Sequence, residues 1–220
     1  MNTTARQLGE VIEARLALPR SEWPDDGLTH LLDAEVEGER LSPVAIRTNL
    51  MFLLGAGAET TRDMLGGFVY ELARDPELYA RLRDDRELIA NATEEALRIY
   101  SPTQFMVRGC KRAIEIDDQL IAEGDTVYIG LASANRDESH FEEPDRFNID
   151  RANAAEHRAL GDGPHVCPGS RLIRLETRIA IGALLDRFER IELAEGPGFE
   201  PLGTPMFYGP KRLPLRFFPA

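Results

Sequence analysis

The most chemically loaded feature of this sequence is one cysteine in a stiff loop. It lies in Gly161-Asp162-Gly163-Pro164-His165-Val166-Cys167-Pro168-Gly169, directly before a stretch that reads as a long helix. A helix N-terminus offers unpaired N–H groups and partial positive charge, which lower a thiol's pKa and favour the thiolate that ligates a metal. Gly163 and Gly169 leave the backbone open to a large planar ligand, and His165 stands on the same loop. The plain alternative is a buried structural cysteine. Glu95 and Arg98 have the three-residue spacing that puts a carboxylate and a guanidinium on one helix face, where a bidentate pair can form. Most such pairs are solvated bridges worth under about 1 kcal/mol. In Ala56-Gly57-Ala58-Glu59-Thr60-Thr61, small residues leave room for a ligand. There the Thr60 hydroxyl can bond the Ala56 carbonyl and loosen the helical ladder, or simply be satisfied by it. Arg171, Arg174 and Arg178 form a basic stripe, either a solvated face or a docking patch for an acidic partner.

These stretches occur together in the order and spacing of the cytochrome P450 (haem-thiolate monooxygenase) family. From about Gly27 onward the chain resembles the C-terminal half of a bacterial-type member. The cysteine loop resembles the family's haem-thiolate pattern, Glu95-Ala96-Leu97-Arg98 its Glu-x-x-Arg helix, and Ala56 to Thr60 its oxygen-activating segment. The resemblance implies haem b bound through Cys167, with Ala56, Gly163 and Gly169 against the cofactor and Arg108 and His165 paired with its propionates. For Arg108 the competing reading is a solubilising charge at a strand edge. It further implies that Thr60 steadies iron-bound oxygen while Glu59 relays protons for O–O cleavage, with Thr61 as a packing neighbour. Pro144-Asp145-Arg146-Phe147 resembles the segment whose arginine joins the helix pair, which implies a structural trio of Glu95, Arg98 and Arg146. Electrons would come from NAD(P)H through a ferredoxin or similar donor, docked at Arg171, Arg174 and Arg178. One oxygen atom would enter a small organic substrate.

The elements that must position these residues follow from periodicity and punctuation. Leu8, Val11, Ile12 and Leu16 share a helical face that begins at Met1, and Leu28 to Leu32 gives a short second helix. Ser42-Pro43 supplies an N-cap and a proline at the first helical position, and the apolar pattern then runs to about Ala73, roughly 45 Å of helix. Asp75-Pro76-Glu77 repeats the signal, and a further helix runs from about Leu88 to Tyr100, where Ser101-Pro102 stops it. Between Phe105 and Ile129 short runs broken at Asp117-Asp118 and Gly124-Asp125 read as small antiparallel strands. A last helix spans about Ser170 to Phe188, followed by loops and edge strands. The expectation is a mainly α fold with small antiparallel β-sheets, the C-terminal part of the cytochrome P450 fold, forming one partial domain over residues 1–220 with its thiolate loop at about 160–169.

Composition bounds the partners. The 38 acidic side chains against 26 Lys and Arg give a net charge of −12, which argues against nucleic acid and anionic membranes. Two cysteines, Cys110 and Cys167, make no disulfide framework and fit a reducing cytoplasm. The most apolar run, Leu50 to Ala58, is about half of the ~20 residues that span a bilayer.

Departures from the family pattern sharpen the expectations. Leu160 replaces the usual Phe at the head of the loop, and Pro168 removes the N–H that would point at the sulfur. Fewer hydrogen bonds leave more electron density on the thiolate and lower the reduction potential. The family's first half has no counterpart here, which fits a truncated reading frame, a catalytically silent remnant or a fragment that needs an N-terminal partner half. Its loss would expose the apolar side of the long helix. Two other readings compete: a noncatalytic helper or truncated remnant acting through protein contacts, and a zinc site from Cys167, His165 and His157, whose spacing matches no usual zinc pattern.

Overall fold

A computed structural model describes residues 3–196 and 198–220 of the protein. Met1 and Asn2, where the sequence pattern starts the first helix, lie outside the described residues. The chain divides into two units within one long helix, between Glu59 and Thr60.

The first unit contains α1 (Thr3–Leu16), α2 (Gly27–Asp33), the short antiparallel pair β1 (Glu35–Val36) and β2 (Glu39–Arg40), and the start of α3 (Pro43–Arg74). Ile12, Leu32 and Ile46 form its buried centre, with Trp23, Leu28, Leu41 and Leu50 packed against them. Local chemistry sets the helix starts. Asp26 accepts from the Thr29 N–H at 2.9 Å, and the Ser42 hydroxyl accepts from Ala45 at 3.2 Å. The outward residues of α3 here include Phe52, Leu53 and Leu54, all exposed.

The second unit carries the rest of α3, then α4 (Pro76–Asp84) and α5 (Leu88–Tyr100). The strands β3 (Phe105–Gly109), β4 (Ile114–Ile116), β5 (Gln119–Ile121) and β6 (Thr126–Gly130) follow, with a one-turn helix α6 (Leu131–Ala134) behind them. Helix α7 (Ser170–Arg187) leads into β7 (Phe188–Leu193), β8 (Glu200–Pro201), β9 (Pro210–Arg212) and β10 (Leu215–Pro219). The strands pair only as two-stranded antiparallel ribbons among the described residues: β3 with β6, β4 with β5, β7 with β10 and β8 with β9. The architecture is therefore mainly α with small antiparallel sheets, as the sequence pattern predicts.

Punctuation residues act where expected. Asp75 accepts from the N–H groups of Glu77 and Leu78, both at 3.0 Å, with Pro76 in the first turn of α4. Ser101 takes a left-handed conformation before Pro102 and ends α5. Asp117 and Asp118, both left-handed, turn the β4–β5 hairpin. The core joins Phe68 and Leu72 of α3, Leu82 of α4, Ala96 and Leu97 of α5, and Ile181 and Leu185 of α7. Close approach is built in at Gly67: a Cβ there would lie 2.3 Å from the Tyr100 ring. Beside it the Tyr100 hydroxyl donates to Glu71 at 2.7 Å, both groups buried. Burial pushes the Glu71 carboxyl and the Tyr100 phenol upward.

Candidate functional site

The cysteine loop is held by its own backbone. The Cys167 N–H donates to the Leu160 carbonyl at 2.8 Å, closing the loop beneath the sulfur, and the Val166 N–H donates to Gly163 at 3.1 Å. Gly161 and Gly163 have φ of 74° and 67°, a region that penalises any side chain. Asp162 fixes the turn by accepting from the Gly163 N–H at 2.7 Å. Leu160 packs on the core, so the residue in place of the expected aromatic anchors the loop's base. Cys167 is a free, half-buried thiol, and its carbonyl accepts the Ser170 N–H at 3.2 Å as α7 begins. Gly169 lies against the sulfur; a Cβ there would be 3.7 Å from Sγ, an ordinary contact. His165, Gly163 and Val166 are exposed on the same loop.

The structural trio is real, but its third member differs from the expected one. Arg98 forks onto Glu95, with Nε to Oε2 and Nη2 to Oε1 both 2.8 Å, and both side chains are fully buried. The other guanidinium on Glu95 belongs to Arg151, whose Nε lies 3.2 and 3.1 Å from the two carboxylate oxygens. Arg146 instead points to solvent and pairs with Glu143 at 3.0 Å. What Arg146 contributes is its carbonyl, which accepts from both Arg98 and Arg151 at 3.2 Å. With that carbonyl turned inward, its side chain is turned out. Arg98 also donates to the carbonyls of Asn135 and Pro144, at 2.8 and 2.7 Å, so α5 is tied to the meander preceding the cysteine loop.

The basic stripe on α7 is reduced. Arg174 is not free for a partner: its Nε and Nη2 reach Glu94 of α5 at 2.6 and 2.8 Å, and Nη1 donates to the Ser170 carbonyl at 2.9 Å. Arg171 and Arg178 remain exposed. Around them Leu172, Leu175 and Ile179 are exposed too, an apolar stripe that the charge pattern masked.

The remaining expected site residues lie on separate elements. Arg108 is exposed on β3 and donates to the Val107 carbonyl at 3.0 Å. Ala56 and Glu59 are exposed on α3 in the first unit, and Thr60 is half-buried at the start of the second. His157 is no metal ligand: its Nε2 faces Glu94 at 3.2 Å and its Nδ1 accepts the Ala159 N–H at 3.2 Å. Among the described residues no group of three His, Cys, Asp or Glu is placed to hold a metal ion. No helix among the described residues is long and apolar enough to cross a membrane.

Sequence reasoning missed Arg151 and Glu94 as members of this region, and placed His157 there only as a zinc ligand, not as a partner of Glu94. No local signal marks them, because their partners come from distant segments.

The family model described as Cytochrome P450 matches residues 2–207. Cytochrome P450 107B1 of Saccharopolyspora erythraea is 41% identical over 189 residues, which cover 86% of this chain and 46% of that protein. Linalool 8-monooxygenase of Pseudomonas putida is 40% identical over 187 residues, 84% of this chain and 44% of that protein. Among solved structures, substrate-free CYP109E1 from Bacillus megaterium superposes with a TM-score of 0.91 at 31% identity, covering 99% of this chain and 55% of that one. The chain thus spans about half the length of the curated relatives it matches.

Proposed function

Because this chain belongs to the cytochrome P450 family, whose model covers residues 2–207, we propose that it is the haem-binding half of a haem-dependent monooxygenase, with Cys167 as the iron ligand. The observation that carries the reading is the free Cys167 thiol on a loop closed by its own backbone bonds. The residues present fit a large planar, apolar group with anionic edges. Left-handed glycines keep side chains off the loop, Val166 and Leu172 offer exposed apolar surface, Arg108 is an exposed cation and His165 an exposed N–H donor.

When bound, the haem supplies electron uptake and activation of dioxygen, so that one oxygen atom enters a small organic substrate. The chain's own residues do the rest. Cys167 Sγ would supply the thiolate that holds the iron, and Leu160, packed on the core, anchors the base of its loop. Arg108 and His165 would hold the propionates, and Gly163 and Gly169 would give the ring room. Thr60 Oγ1 positions a proton, and the exposed Glu59 carboxylate exchanges protons with solvent. Arg171 and Arg178 are the cations left for an acidic ferredoxin carrying NAD(P)H-derived electrons, with Arg174 committed to Glu94. Two free cysteines fit a reducing cytoplasm. Relatives include an enzyme named for linalool, and solved relatives hold testosterone or a fatty acid on an acyl carrier protein. These point to apolar organic substrates for this chain.

A carbon monoxide difference spectrum of the reduced, haem-supplied chain tests the reading. A red-shifted, thiolate-type Soret band that vanishes in Cys167→Ala is the expected result. Haem binding without that band, or its persistence in Cys167→Ala, would overturn it. A second reading, a P450-like helper acting through protein contacts, is favoured by the exposed Phe52, Leu53 and Leu54 of α3. A substrate panel with a ferredoxin and its reductase separates the two.

A further inference from the structure

Glu94 and Glu95 are consecutive on α5, and the 100° step of a helix sends them to different sides. Glu95 serves the buried arginine pair. Glu94 has a separate set of partners, none of which involves the trio. Its Oε1 receives Arg174 Nε at 2.6 Å, and its Oε2 receives Arg174 Nη2 at 2.8 Å and faces His157 Nε2 at 3.2 Å. Because His157 Nδ1 accepts the Ala159 N–H, the ring proton sits on Nε2 and is donated to Glu94.

These two partners stand at the two ends of the cysteine loop. His157 orients the segment leading in: Ala159 is bonded to its ring, and the next residue, Leu160, accepts the Cys167 N–H. Arg174 grips the segment leading out, since its Nη1 holds the Ser170 carbonyl in the first turn of α7. One carboxylate therefore closes the span that carries the sulfur. Burial pushes the Glu94 carboxyl up, but the bonds from His157 and Arg174 outweigh it and hold the group down to about 2, so it stays a charged acceptor.

We propose that Glu94 is a positioning residue: a clamp that draws both ends of the cysteine loop onto α5 and so sets where Cys167 presents its sulfur. The role as a haem-ligand clamp rests on the proposed function above; the mechanical role does not. Loop segments held only by backbone turns open locally at low cost, and a charge-assisted tie at both ends suppresses that opening.

Amide hydrogen exchange on the full chain tests the clamp without haem. In Glu94→Gln, which keeps the shape and removes the charge, the amides of Ala159, Cys167, Ser170 and Ile173 are expected to exchange at least about tenfold faster, while Leu82 in α4 is unchanged. His157→Ala should release Ala159 and Cys167 only, and Arg174→Lys should release Ser170 and Ile173 only. Glu94→Asp keeps the charge but draws it back by one methylene; it replaces Glu94→Gln with the same expectation if that variant does not fold. Unchanged loop exchange, or a uniform rise that includes α4, would overturn the clamp. With haem supplied, the clamp variants should lose part of their thiolate-type carbon monoxide band to a blue-shifted form, and full retention of that band would overturn the sulfur-positioning role. If even the parent chain gives no thiolate-type band, the haem reading fails while the exchange pattern still decides the clamp.

Discussion

Replacing Arg151 with Ala is the perturbation that separates the tertiary arrangement around Glu95 from the one expected from local spacing. Arg151 contacts both oxygens of a fully buried carboxylate and donates to the carbonyls of Glu142, at 2.6 Å, and of Glu143 and Arg146, each at 3.2 Å. Arg98 stays behind, so Glu95 keeps one counter-charge and escapes the full penalty of an unpaired buried ion. What is lost is a charge-assisted bond, roughly 1.5–3 kcal/mol, together with the acceptors' partners at Glu142 and Glu143. The expected cost is about 3 kcal/mol, a shift in melting temperature of roughly 6–12 °C for a unit of this size. Arg146→Ala removes only a pair in which both side chains are about two-thirds exposed (67% and 64%), so it should cost under about 0.5 kcal/mol and less still in high salt. Urea unfolding followed by far-ultraviolet circular dichroism measures both, while fluorescence of Trp23, the single tryptophan, reports on the first unit as an internal control. If Arg146→Ala is as damaging as Arg151→Ala, or Arg151→Ala costs under about 1 kcal/mol, the assignment is wrong.

Glu71→Gln keeps an acceptor for the Tyr100 hydroxyl and removes a charge that burial disfavours. A raised folded-state pKa means this charge costs stability only above the ordinary value of 4.5, so the variant should match the parent at pH 4 and exceed it by up to about 1 kcal/mol at pH 8; urea midpoints across that range check the sign. On α3, Gly67→Ala should destabilise by about 1–3 kcal/mol because its Cβ meets the Tyr100 ring at 2.3 Å. Gly57→Ala, with nothing within 4 Å, should gain up to about 1 kcal/mol from helix propensity, and thermal melts of the pair compare them directly. Pro168→Ala restores an N–H near the sulfur and should raise the haem reduction potential in a spectroelectrochemical titration, whereas a fall would contradict the thiolate argument.

What the sequence determined by itself are the features whose cause lies within a few residues. The caps at Asp26, Ser42 and Asp75, the stop at Ser101-Pro102, the hairpin turn at Asp117-Asp118 and the Glu95–Arg98 fork all follow from spacing and side-chain chemistry along one segment. The glycine conformations that shape the Cys167 loop belong to the same group. Tertiary structure alone decided which cations are spent and which are free. Arg151 reaches Glu95 across 56 residues and Arg174 reaches Glu94 across 80, so no periodicity could have told Arg151 from Arg146 or removed Arg174 from the basic stripe. Those choices are made by packing: a buried carboxylate takes whichever guanidinium the folded backbone brings within reach, and Arg146 loses because its carbonyl, not its side chain, is turned inward.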